Sequence, residues 1–484
     1  MTAERPLRPE RVVVVGGGIT GLVAAYRLSQ AGCDVTVIEP GPLGGKLQTS
    51  MVAGRPVDET ADAFLLRVPW ALALCHDLEI DGELISPAER TAHVFVDGVR
   101  HPLPAGHVLG VPTDLEALAR SGIVSPAGVE RATADLVLDP LSTDPLVAGR
   151  DVAIGPYLRG RLGDEVVDHL IDPLVGGINA GDTAQLSLAA VVPQLDAAAR
   201  SGDPSLIRSC LAQRDRAAAA GTDPAAPIFA TPIGGMARLV DALLALMPGV
   251  DIRNGRSVSS IYVTNRDART GGVHVTLDDA SALDADALVM TAPAHVAGPL
   301  LGEVAPIAAG HLAAIAHASV TMLTFAFARG DLGDVAGASG CLVPRDQGTV
   351  ATAVSYATSK WAQLRDPVKD DVVLRVSAGR AGDDRHLDLD DAALTERILA
   401  DLDRVIGVHG APTSIRIGRW LDSFPQYAPG HLDRMDAVDA ELADTPVRVA
   451  GMALRGVGIP ACIRSAEQAA ASLGATWPTR RSIT

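Results

Sequence analysis

Aromatic residues are scarce in this chain of 484 residues, where Phe, Trp and Tyr together make up 3%. Apolar residues still account for 48% and charged residues for 20%, so the chain is predicted to be globular, with cores built from Ala, Val, Leu and Gly. A chain of this length can form two or three domains.

Basic residues are also fewer than acidic residues. The formal net charge of -17 argues against nucleic acid or an anionic membrane as the main partner, because both require a basic face. It does not exclude an anionic small molecule, which senses only the field of a few nearby arginines.

The sequence also lacks paired cysteines and metal-ligand spacings. The five cysteines are scattered and never form CxxC, and the twelve histidines show no metal spacing, so neither a disulfide framework nor a metal site is expected. The stretch MTAERPLRPER is charged and contains no apolar signal core. Together these features favour a reducing cytoplasm.

One long run, residues 304–328, carries no formal charge. A membrane-spanning helix needs about 20 apolar residues. Here Pro306, Gly310, His311, His317 and Ser319 interrupt the run, and its end, SVTMLTFAFA, predicts a buried strand after a short helix. Loose contact with a membrane surface stays open.

The stretch RVVVVGGGITGLVAAYRLSQAGCDVTVIE, residues 11–39, predicts a strand, a glycine turn, a helix, a second strand and an acid. Gly16, Gly18 and Gly21 occupy the glycine positions of GxGxxG, which serve the tight turn, the approach of a pyrophosphate and the contact of helix with strand. A helix beginning near Ile19 directs its N–H groups at the phosphates. Glu39 can accept hydrogen bonds from ribose hydroxyls and disfavours a 2′-phosphate. The pattern predicts a dinucleotide site.

Two other stretches favour FAD over a nicotinamide dinucleotide. Lys46 follows Glu39 in GGKL, where a cation can meet the pyrophosphate from the other side. Near the C-terminus, GVGIPACIRSAEQAAASL places Pro460 in the first turn of a helix. Such an N-terminus stabilises the negative charge that a reduced flavin ring develops. No second GxGxxG unit appears in the sequence, so electrons are expected to enter from an organic substrate and leave to oxygen or a carrier.

The alternation of segments predicts an α/β fold with an α+β substrate part, in which a discontinuous Rossmann-like FAD-binding domain is joined to a mixed-sheet substrate domain and a helical insertion. The helical part is punctuated by DPLSTDP at residues 139–145. The expected segments are FAD-binding at 1–85, a substrate-domain hairpin at 86–108, the helical insertion at 109–220, FAD-binding at 221–298, substrate domain at 299–418 and a closing FAD-binding segment at 419–484.

Five motifs together resemble the porphyrinogen oxidases of haem biosynthesis, within the monoamine-oxidase-like flavoproteins. They are VVVVGGGITGLVAAYRL, GGKLQT, DETADAFLLR, WLDSFPQYAPGHL and GVGIPACIRSAEQAA. PQYAPGH and GGINAGDTAQLS are the narrower signals. Three positions depart from the usual pattern: Lys46 stands where arginine is commoner, Asn179 where tyrosine is usual and Ala466 where glycine is usual.

The resemblance implies two groups of site residues. The expected FAD contacts are Gly16, Gly17, Gly18, Ile19, Thr20, Gly21, Glu39, Lys46, Ala61, Asp62, Ala63, Phe64, Val258, Trp420, Val457, Gly458 and Ile459. Arg67 is the candidate for binding a substrate carboxylate, and Gly177 would let a pyrrole approach the backbone. Trp420 and Tyr427 are equally compatible with a purely structural role. No catalytic side chain is singled out.

The resemblance also implies an FAD-dependent oxidoreductase acting on CH–CH groups with oxygen as acceptor. Coproporphyrinogen III is the expected tetrapyrrole substrate, oxidised to coproporphyrin III by repeated hydride transfer with release of hydrogen peroxide. Protoporphyrinogen IX is the close alternative. An amine oxidase, which would want an aromatic cage, and a non-catalytic flavin-binding protein are more distant ones. Contact of the insertion with a membrane surface and of the enzyme with a downstream haem-pathway enzyme stays open.

Overall fold

The computed structural model of the chain describes residues 9–137, 146, 149–221, 223, 226–265, 272–333, 335, 337–366 and 368–477. A five-stranded parallel sheet lies at one end of the molecule. Its strands, in spatial order, are Asp251–Asn254, Asp34–Glu39, Arg11–Val15, Ala287–Met290 and Val447–Val449. The sheet thus joins parts of the chain that are more than 400 residues apart, and we call it the nucleotide sheet.

Helices cover both faces of the nucleotide sheet, which explains why its central strand is an uninterrupted run of valines. Val12 and Val14 pack against helices Ile19–Gln30, Trp70–Asp77, Ala237–Ala245 and Ile459–Ser472. Val13 and Val15 face the opposite way, towards helices Ala294–Leu301, Pro306–Ala313 and His431–Leu442. An antiparallel ribbon, Val258–Asn265, Gly272–Leu277 and Ala282–Ala285, lies on this second side.

A second, seven-stranded sheet is mostly antiparallel, and we call it the large sheet. Its strands, in spatial order, are Ser414–Pro425, His317–Ala328, Asp371–Ala378, Ala351–Tyr356, Gly340–Leu342, Ala92–Val96 and Val99–Pro102. One face packs on helix Asp391–Ile406 through Leu323, Phe325 and Phe327. The uncharged run at 304–328 forms the helix Pro306–Ala313 and the buried strand His317–Ala328, as the sequence predicted. None of the described helices is long and apolar enough to cross a membrane.

The insertion between the hairpin and the second nucleotide segment is helical around its own apolar core. Its helices are Leu115–Ser121, Pro126–Thr133, Ile154–Leu162, Asp164–Val166, Gly177–Asn179, Leu188–Val191, Pro193–Ala199 and Leu206–Ala219, with a π-helix at Val167–Gly176. The predicted break DPLSTDP lies outside the described residues.

Short elements complete the fold. Two-residue and four-residue strands occur at Thr49–Val52, Arg55–Asp58, Phe64–Leu65, Leu84–Ile85, His107–Val108, Val111–Pro112 and Phe229–Pro232. The short helix Ala357–Lys360 and single 3-10 turns lie at the ends of larger elements, the turns at Asp81–Glu83, Ala134–Val137, Arg329–Asp331, Arg345–Gln347 and Ala362–Leu364. The architecture is α/β with a mixed second sheet, which confirms the predicted fold class.

Ion pairs attach the early hairpin Thr49–Val52 and Arg55–Asp58 and the loop after it to the large sheet. Arg55 pairs with Asp371, Glu59 with Arg416, and Asp62 with both Lys360 and Arg375. Arg55 and Arg375 are buried, so these pairs are shielded from solvent and their partners cannot be removed singly without leaving an unpaired buried charge. These ion pairs therefore hold the hairpin and the loop after it in a defined position against the large sheet.

Candidate active site

The glycine turn that follows Arg11–Val15 has two different kinds of glycine. Gly16 has φ +107°, and a Cβ there would lie 2.6 Å from Thr291 Oγ1; a Cβ on Gly21 would lie 1.8 Å from the carbonyl oxygen of Gly16. A Cβ on Gly18 would meet nothing within 4 Å. Gly16 and Gly21 are thus required by the chain itself, whereas the space beside Gly18 is left for a ligand.

Glu39 lies at the carboxyl end of its strand, beside this turn. Its Oε2 accepts from the backbone N–H of Gly17 at 2.6 Å and its Oε1 from that of Gly41 at 2.7 Å. Its carbonyl oxygen accepts from Gly255 N at 2.8 Å, three residues before Val258. The turn, the acid and the start of the Val258 strand are therefore neighbours, although only the first two are close in sequence.

The loop carrying Lys46 closes over the glycine turn. Gly44 N donates to Gly17 O at 2.8 Å, and a Cβ on Gly45 would lie 3.2 Å from Gly18 Cα. Lys46 Nζ contacts Met452 Sδ at 3.5 Å, and among the described residues it has no carboxylate partner. Burial lowers the pKa of Lys46, an effect that nearby Cys462 opposes. A half-buried ammonium without a carboxylate partner is electrostatically suited to a phosphate or a flavin oxygen.

The closing helix, Ile459–Ser472, begins next to the first helix. Gly458, its N-cap, supplies no side-chain cap, and Pro460 in the first turn has no N–H. Ala461 N and Cys462 N both donate to Gly458 O at 3.0 Å, so Ile459 carries the first-turn N–H that has no partner among the described residues. Burial raises the pKa of the Cys462 thiol, an effect that nearby Thr20 and the charge of Lys46 oppose. Ala466, where glycine is usual, is fully buried in the core shared with the first helix. Two helix N-termini, a space beside Gly18 and the Lys46 ammonium fit a long anionic dinucleotide.

Residues 452–458, which lead into the closing helix, are held by an aromatic pair. Tyr427 Oη accepts from Gly456 N at 3.0 Å and donates to Met452 O. The ring of His431 stacks on that of Tyr427 with centroids 4.0 Å apart and 14° between the planes, and its Nε2 lies 2.7 Å from Leu454 O. The motif PQYAPGH thus acts on the backbone that precedes the closing helix.

A cavity of about 230 Å³ opens beside this loop. Its walls come from the insertion on one side and from the loop on the other. The lining residues are Leu109, Val175, Ile178, Asn179, Ala190, Val191, Val192, Tyr427, Gly456, Val457 and Gly458. Asn179, where tyrosine is usual, donates from Nδ2 to Val175 O at 2.8 Å. An apolar compartment therefore ends at the N-terminus of the closing helix, where the redox end of a flavin was predicted.

The side chains of Asp62 and Phe64, within the predicted cofactor-contact stretch Ala61, Asp62, Ala63 and Phe64, are engaged by other parts of the protein. Burial by itself would raise the pKa of Asp62, but Lys360 and Arg375 outweigh it and hold the pKa well below its ordinary value. Trp361 Nε1 also donates to this carboxylate at 3.0 Å. Phe64 is buried in the core under the first helix. Any cofactor contact from this stretch is therefore proposed through its backbone and Ala61, which is exposed.

Trp420 lies on the large sheet opposite Val320, and its Nε1 is buried without a hydrogen-bond partner among the described residues. Ala318, Val320 and Phe424 of the same region contact Ala180 and Ala381. Trp420 thus lies on the large sheet, and its contact with the flavin stays a prediction.

The two predicted substrate residues lie at the edge of the site. Arg67 is exposed and has no ion-pair partner within the described part of the chain, and it does not line the cavity. Gly177 is exposed and is followed by the lining residues Ile178 and Asn179; a Cβ there would meet only Leu342, at 3.9 Å. The structure brings neither residue into the cavity wall, so their roles stay proposals.

Sequence reasoning missed Thr291, Met452 and His431. Thr291 Oγ1 donates to Val15 O at 2.9 Å and is close enough to forbid a side chain at Gly16. It directly follows the buried strand Ala287–Met290, and the carboxyl ends of parallel strands are where ligands bind, so that rule could have found it. His431 is the last residue of the motif PQYAPGH, but the motif does not show which backbone it contacts, and Met452 carries no comparable local signal.

Comparison with known proteins decides the family. The model of the family described as "Flavin containing amine oxidoreductase" matches residues 19–473 of the chain. The chain belongs to this family. It is accordingly a flavin-dependent oxidoreductase.

Curated relatives within the family carry a narrower name. A coproporphyrinogen III oxidase from Mycobacterium leprae is 34% identical over 468 residues, which cover 96% of this chain and 98% of that protein. A coproporphyrinogen III oxidase from Bacillus subtilis is 31% identical, covering 94% and 96%. These relatives confirm the resemblance to the porphyrinogen oxidases and place the chain among them.

Solved structures agree with the fold. A protein from Exiguobacterium sp. 255-15, provisionally named protoporphyrinogen oxidase, has a TM-score of 0.83 and 28% identity, covering 96% of this chain and 98% of that one. Putrescine oxidase bound to putrescine gives a TM-score of 0.65 at 18% identity, covering 96% of this chain and 99% of that one. The similarity to putrescine oxidase shows a shared fold only.

Proposed function

We propose that this chain binds FAD and oxidises coproporphyrinogen III to coproporphyrin III in haem biosynthesis, with oxygen as electron acceptor and hydrogen peroxide as the second product. The observation that carries the proposal is the apolar cavity that ends on Gly456, Val457 and Gly458 at the start of the closing helix. A substrate there would have its carbons beside the redox end of a flavin. The relatives named coproporphyrinogen III oxidase support the choice of substrate.

FAD would contact both the glycine turn and the start of the closing helix, whereas a flavin without the adenosine half would contact only one of them. The turn around Gly18, Glu39 and the start of the Val258 strand suit the pyrophosphate and the adenosine half. The closing helix lies beside the first helix through the Thr20–Cys462 contact, so one extended dinucleotide can reach both N-termini. Lys46 between them would pair with the negative charge.

A bound flavin would supply a two-electron acceptor; the chain has to position the substrate. A methylene-bridge carbon of a porphyrinogen gives up hydride readily, because flanking pyrroles share the resulting positive charge, and the accompanying proton leaves from a pyrrole N–H. No strong base is therefore required. Leu109, Val175 and Val191 exclude water from the reacting carbon, and the backbone of residues 456–458 sets its approach.

The test is to mix the purified FAD-loaded protein with coproporphyrinogen III, protoporphyrinogen IX or putrescine. Porphyrin fluorescence and peroxide are followed in air, and bleaching of the flavin colour is followed without oxygen. We expect coproporphyrinogen III to bleach the flavin and to give the fastest fluorescence gain with matching peroxide.

Faster turnover of protoporphyrinogen IX would overturn the substrate assignment alone. Peroxide from putrescine without fluorescence above the spontaneous rate would overturn the reaction class. A flavin that no substrate bleaches would identify a binding protein without turnover.

A further inference from the structure

Tyr427 and His431 are more than core aromatics, because their polar atoms act on the backbone of the loop at residues 452–456. Three groups of this loop are engaged: Met452 O and Gly456 N by Tyr427 Oη, and Leu454 O by His431 Nε2. Each of these groups lies within seven residues of Ile459, where the closing helix begins.

The loop needs such support because its own conformation is unusual. Gly451 has φ +127° and Gly456 has φ +135°, and a Cβ on Gly456 would lie 2.7 Å from Ala461 Cβ. Between these two glycines the described chain has no regular helix or strand to hold it. The hydrogen bonds from the aromatic pair replace those of a regular element.

The burial and the protonation states of Tyr427 and His431 both favour these hydrogen bonds. Tyr427 is 2% exposed and His431 1% exposed. Burial raises the pKa of Tyr427, partly opposed by Gly456, so the phenol stays protonated and can donate. Burial lowers the pKa of His431 to about 4, and the charges of Arg434 and Arg455 act in the same direction. The bond to Leu454 and the charge of Asp151 oppose this shift. The ring is therefore neutral at pH 7. A neutral ring that faces a carbonyl carries its proton on Nε2, the tautomer assigned from this contact.

The same loop reaches the proposed cofactor site through Met452. Its carbonyl accepts from Tyr427, and its sulfur contacts the half-buried ammonium of Lys46. Tyr427 also lines the cavity together with Gly456, Val457 and Gly458. The side chain of Tyr427 thus forms part of the cavity wall, holds the backbone just before the closing helix and acts on Lys46 through Met452.

We propose that Tyr427 and His431 are positioning residues for the flavin: they act through residues 452–458 to aim the start of the closing helix, with the N–H of Ile459, and the Lys46 ammonium at the redox end of the ring. The inference rests on the proposed FAD site. It assigns a function to PQYAPGH that is independent of which substrate is oxidised. Aligned N–H dipoles stabilise a reduced, negatively charged flavin, so the pair raises the reduction potential.

Tyr427→Phe is the decisive variant, since it removes the hydroxyl and leaves the stacked ring. We expect it to retain FAD, to shift the flavin midpoint potential to a more negative value and to alter the visible spectrum. Anaerobic flavin reduction by coproporphyrinogen III should slow about five- to hundredfold, as for the loss of the two neutral hydrogen bonds that the hydroxyl makes. Tyr262→Phe, on an exposed tyrosine of the ribbon, is the matched control.

His431 supplies a second, independent pair of variants. His431→Gln keeps an N–H donor for Leu454 O and should restore most of the parental potential, whereas His431→Leu should not. His409→Leu, on an exposed histidine, is the control. If His431→Leu fails to fold, Tyr427→Phe and His431→Gln still decide the question.

The inference is overturned if Tyr427→Phe has the same flavin potential, visible spectrum and flavin-reduction rate as the parent protein. A lower melting temperature alone would then assign Tyr427 a purely structural role. The potential is measured by dye equilibration, which needs no substrate. A parent that no porphyrinogen reduces would refute the proposed substrate, while a shifted potential in Tyr427→Phe would still uphold the positioning role.

Discussion

The guanidinium of Arg27 joins the first helix to the closing helix by donating to the carboxylate of Glu467. Nε lies 2.9 Å and Nη2 2.6 Å from Glu467 Oε1, and Nη2 also lies 2.7 Å from Asp77 Oδ2. The rings of Tyr26 and Trp477 each lie 5.3 Å from the guanidinium carbon. Arg27 is 2% exposed, so a single buried cation connects three helices, two of which begin at the proposed cofactor site.

Arg27→Leu should lower the free energy of unfolding by about 3–5 kcal/mol, because it leaves the two carboxylates partly buried without their cation. It should also weaken FAD binding by loosening the register of the two helices. Arg27→Lys should have intermediate effects on stability and FAD binding, since it keeps the positive charge but loses the planar guanidinium that bonds both carboxylates.

Chemical denaturation and FAD titration measure these effects. Arg329→Leu, which breaks the exposed pair with Asp370, should change stability by less than about 1 kcal/mol. Equal stability of Arg27→Leu and Arg329→Leu would contradict the role given to Arg27.

Gly18→Ala and Gly21→Ala should separate ligand binding from folding. At Gly21 the new Cβ would lie 1.8 Å from Gly16 O, so the turn has to distort and the protein should express poorly or melt much earlier. At Gly18 there is room and φ is -71°, so the cofactor-free protein should lose less than about 1 kcal/mol. Its FAD affinity should nevertheless fall about tenfold or more, as when a charge-assisted hydrogen bond is lost. Unchanged affinity in Gly18→Ala would show that no phosphate approaches this glycine.

Asp58→Asn should stabilise the protein at neutral pH. Burial raises the pKa of Asp58 to about 6 from an ordinary value of 3.8, although bonds from Thr49 and Met236 and the charge of Arg375 act against it. A raised pKa means that the folded state favours the protonated carboxyl, so this contribution to stability is complete below pH 3.8 and is lost as the pH rises through 6. The amide can still accept from Thr49 Oγ1 and Met236 N without a charge to bury.

The variant should gain about 1–3 kcal/mol over the parent at pH 8 and little at pH 4. Urea unfolding across this pH range measures the difference. Asp278→Asn, at an exposed position, should show no comparable pH-dependent gain. A loss of stability at pH 8 in Asp58→Asn would mean that the ionised carboxylate is needed by its partners.

Arg67→Ala should weaken the binding of a carboxylated porphyrinogen without changing the flavin content. Arg67 is an exposed cation without an ion-pair partner in the described chain, near the start of helix Trp70–Asp77. An exposed ion pair contributes at most about 1 kcal/mol, so KM should rise up to about fivefold while kcat changes little. Steady-state kinetics give both values, with Arg120→Ala as a control on another exposed arginine. Loss of FAD from Arg67→Ala would instead assign the residue to the cofactor.

The elements with a strong local pattern were predictable. The glycine turn, the flanking strand and helix and Glu39 lie in one continuous stretch, and the structure gives Arg11–Val15, Ile19–Gln30 and Asp34–Glu39. The hairpin predicted within residues 86–108 is formed by the strands Ala92–Val96 and Val99–Pro102. Asp97 and Gly98 between them both adopt the positive φ that a tight turn requires. These features depend on neighbouring residues, so a single sequence contains the information.

The cavity wall and the aromatic pair were not predictable in the same way. Leu109, Val175 and Val191 belong to an apolar helical insertion in which every turn offers similar residues, and only packing selects those that line the space. Asp62 was expected at the cofactor because of its motif, but ion pairs with Lys360 and Arg375 turn its side chain to the large sheet.

The sequence by itself determined the dinucleotide turn, the α/β character and the family, because glycine conformation, side-chain period and motif spacing are local properties of the chain. Only the tertiary structure decided that Arg27 meets Glu467, that Tyr427 and His431 hold the loop before Ile459, and that the cavity ends there. Those relationships arise from the packing of segments up to hundreds of residues apart, and no local pattern specifies which side chains packing will bring into contact.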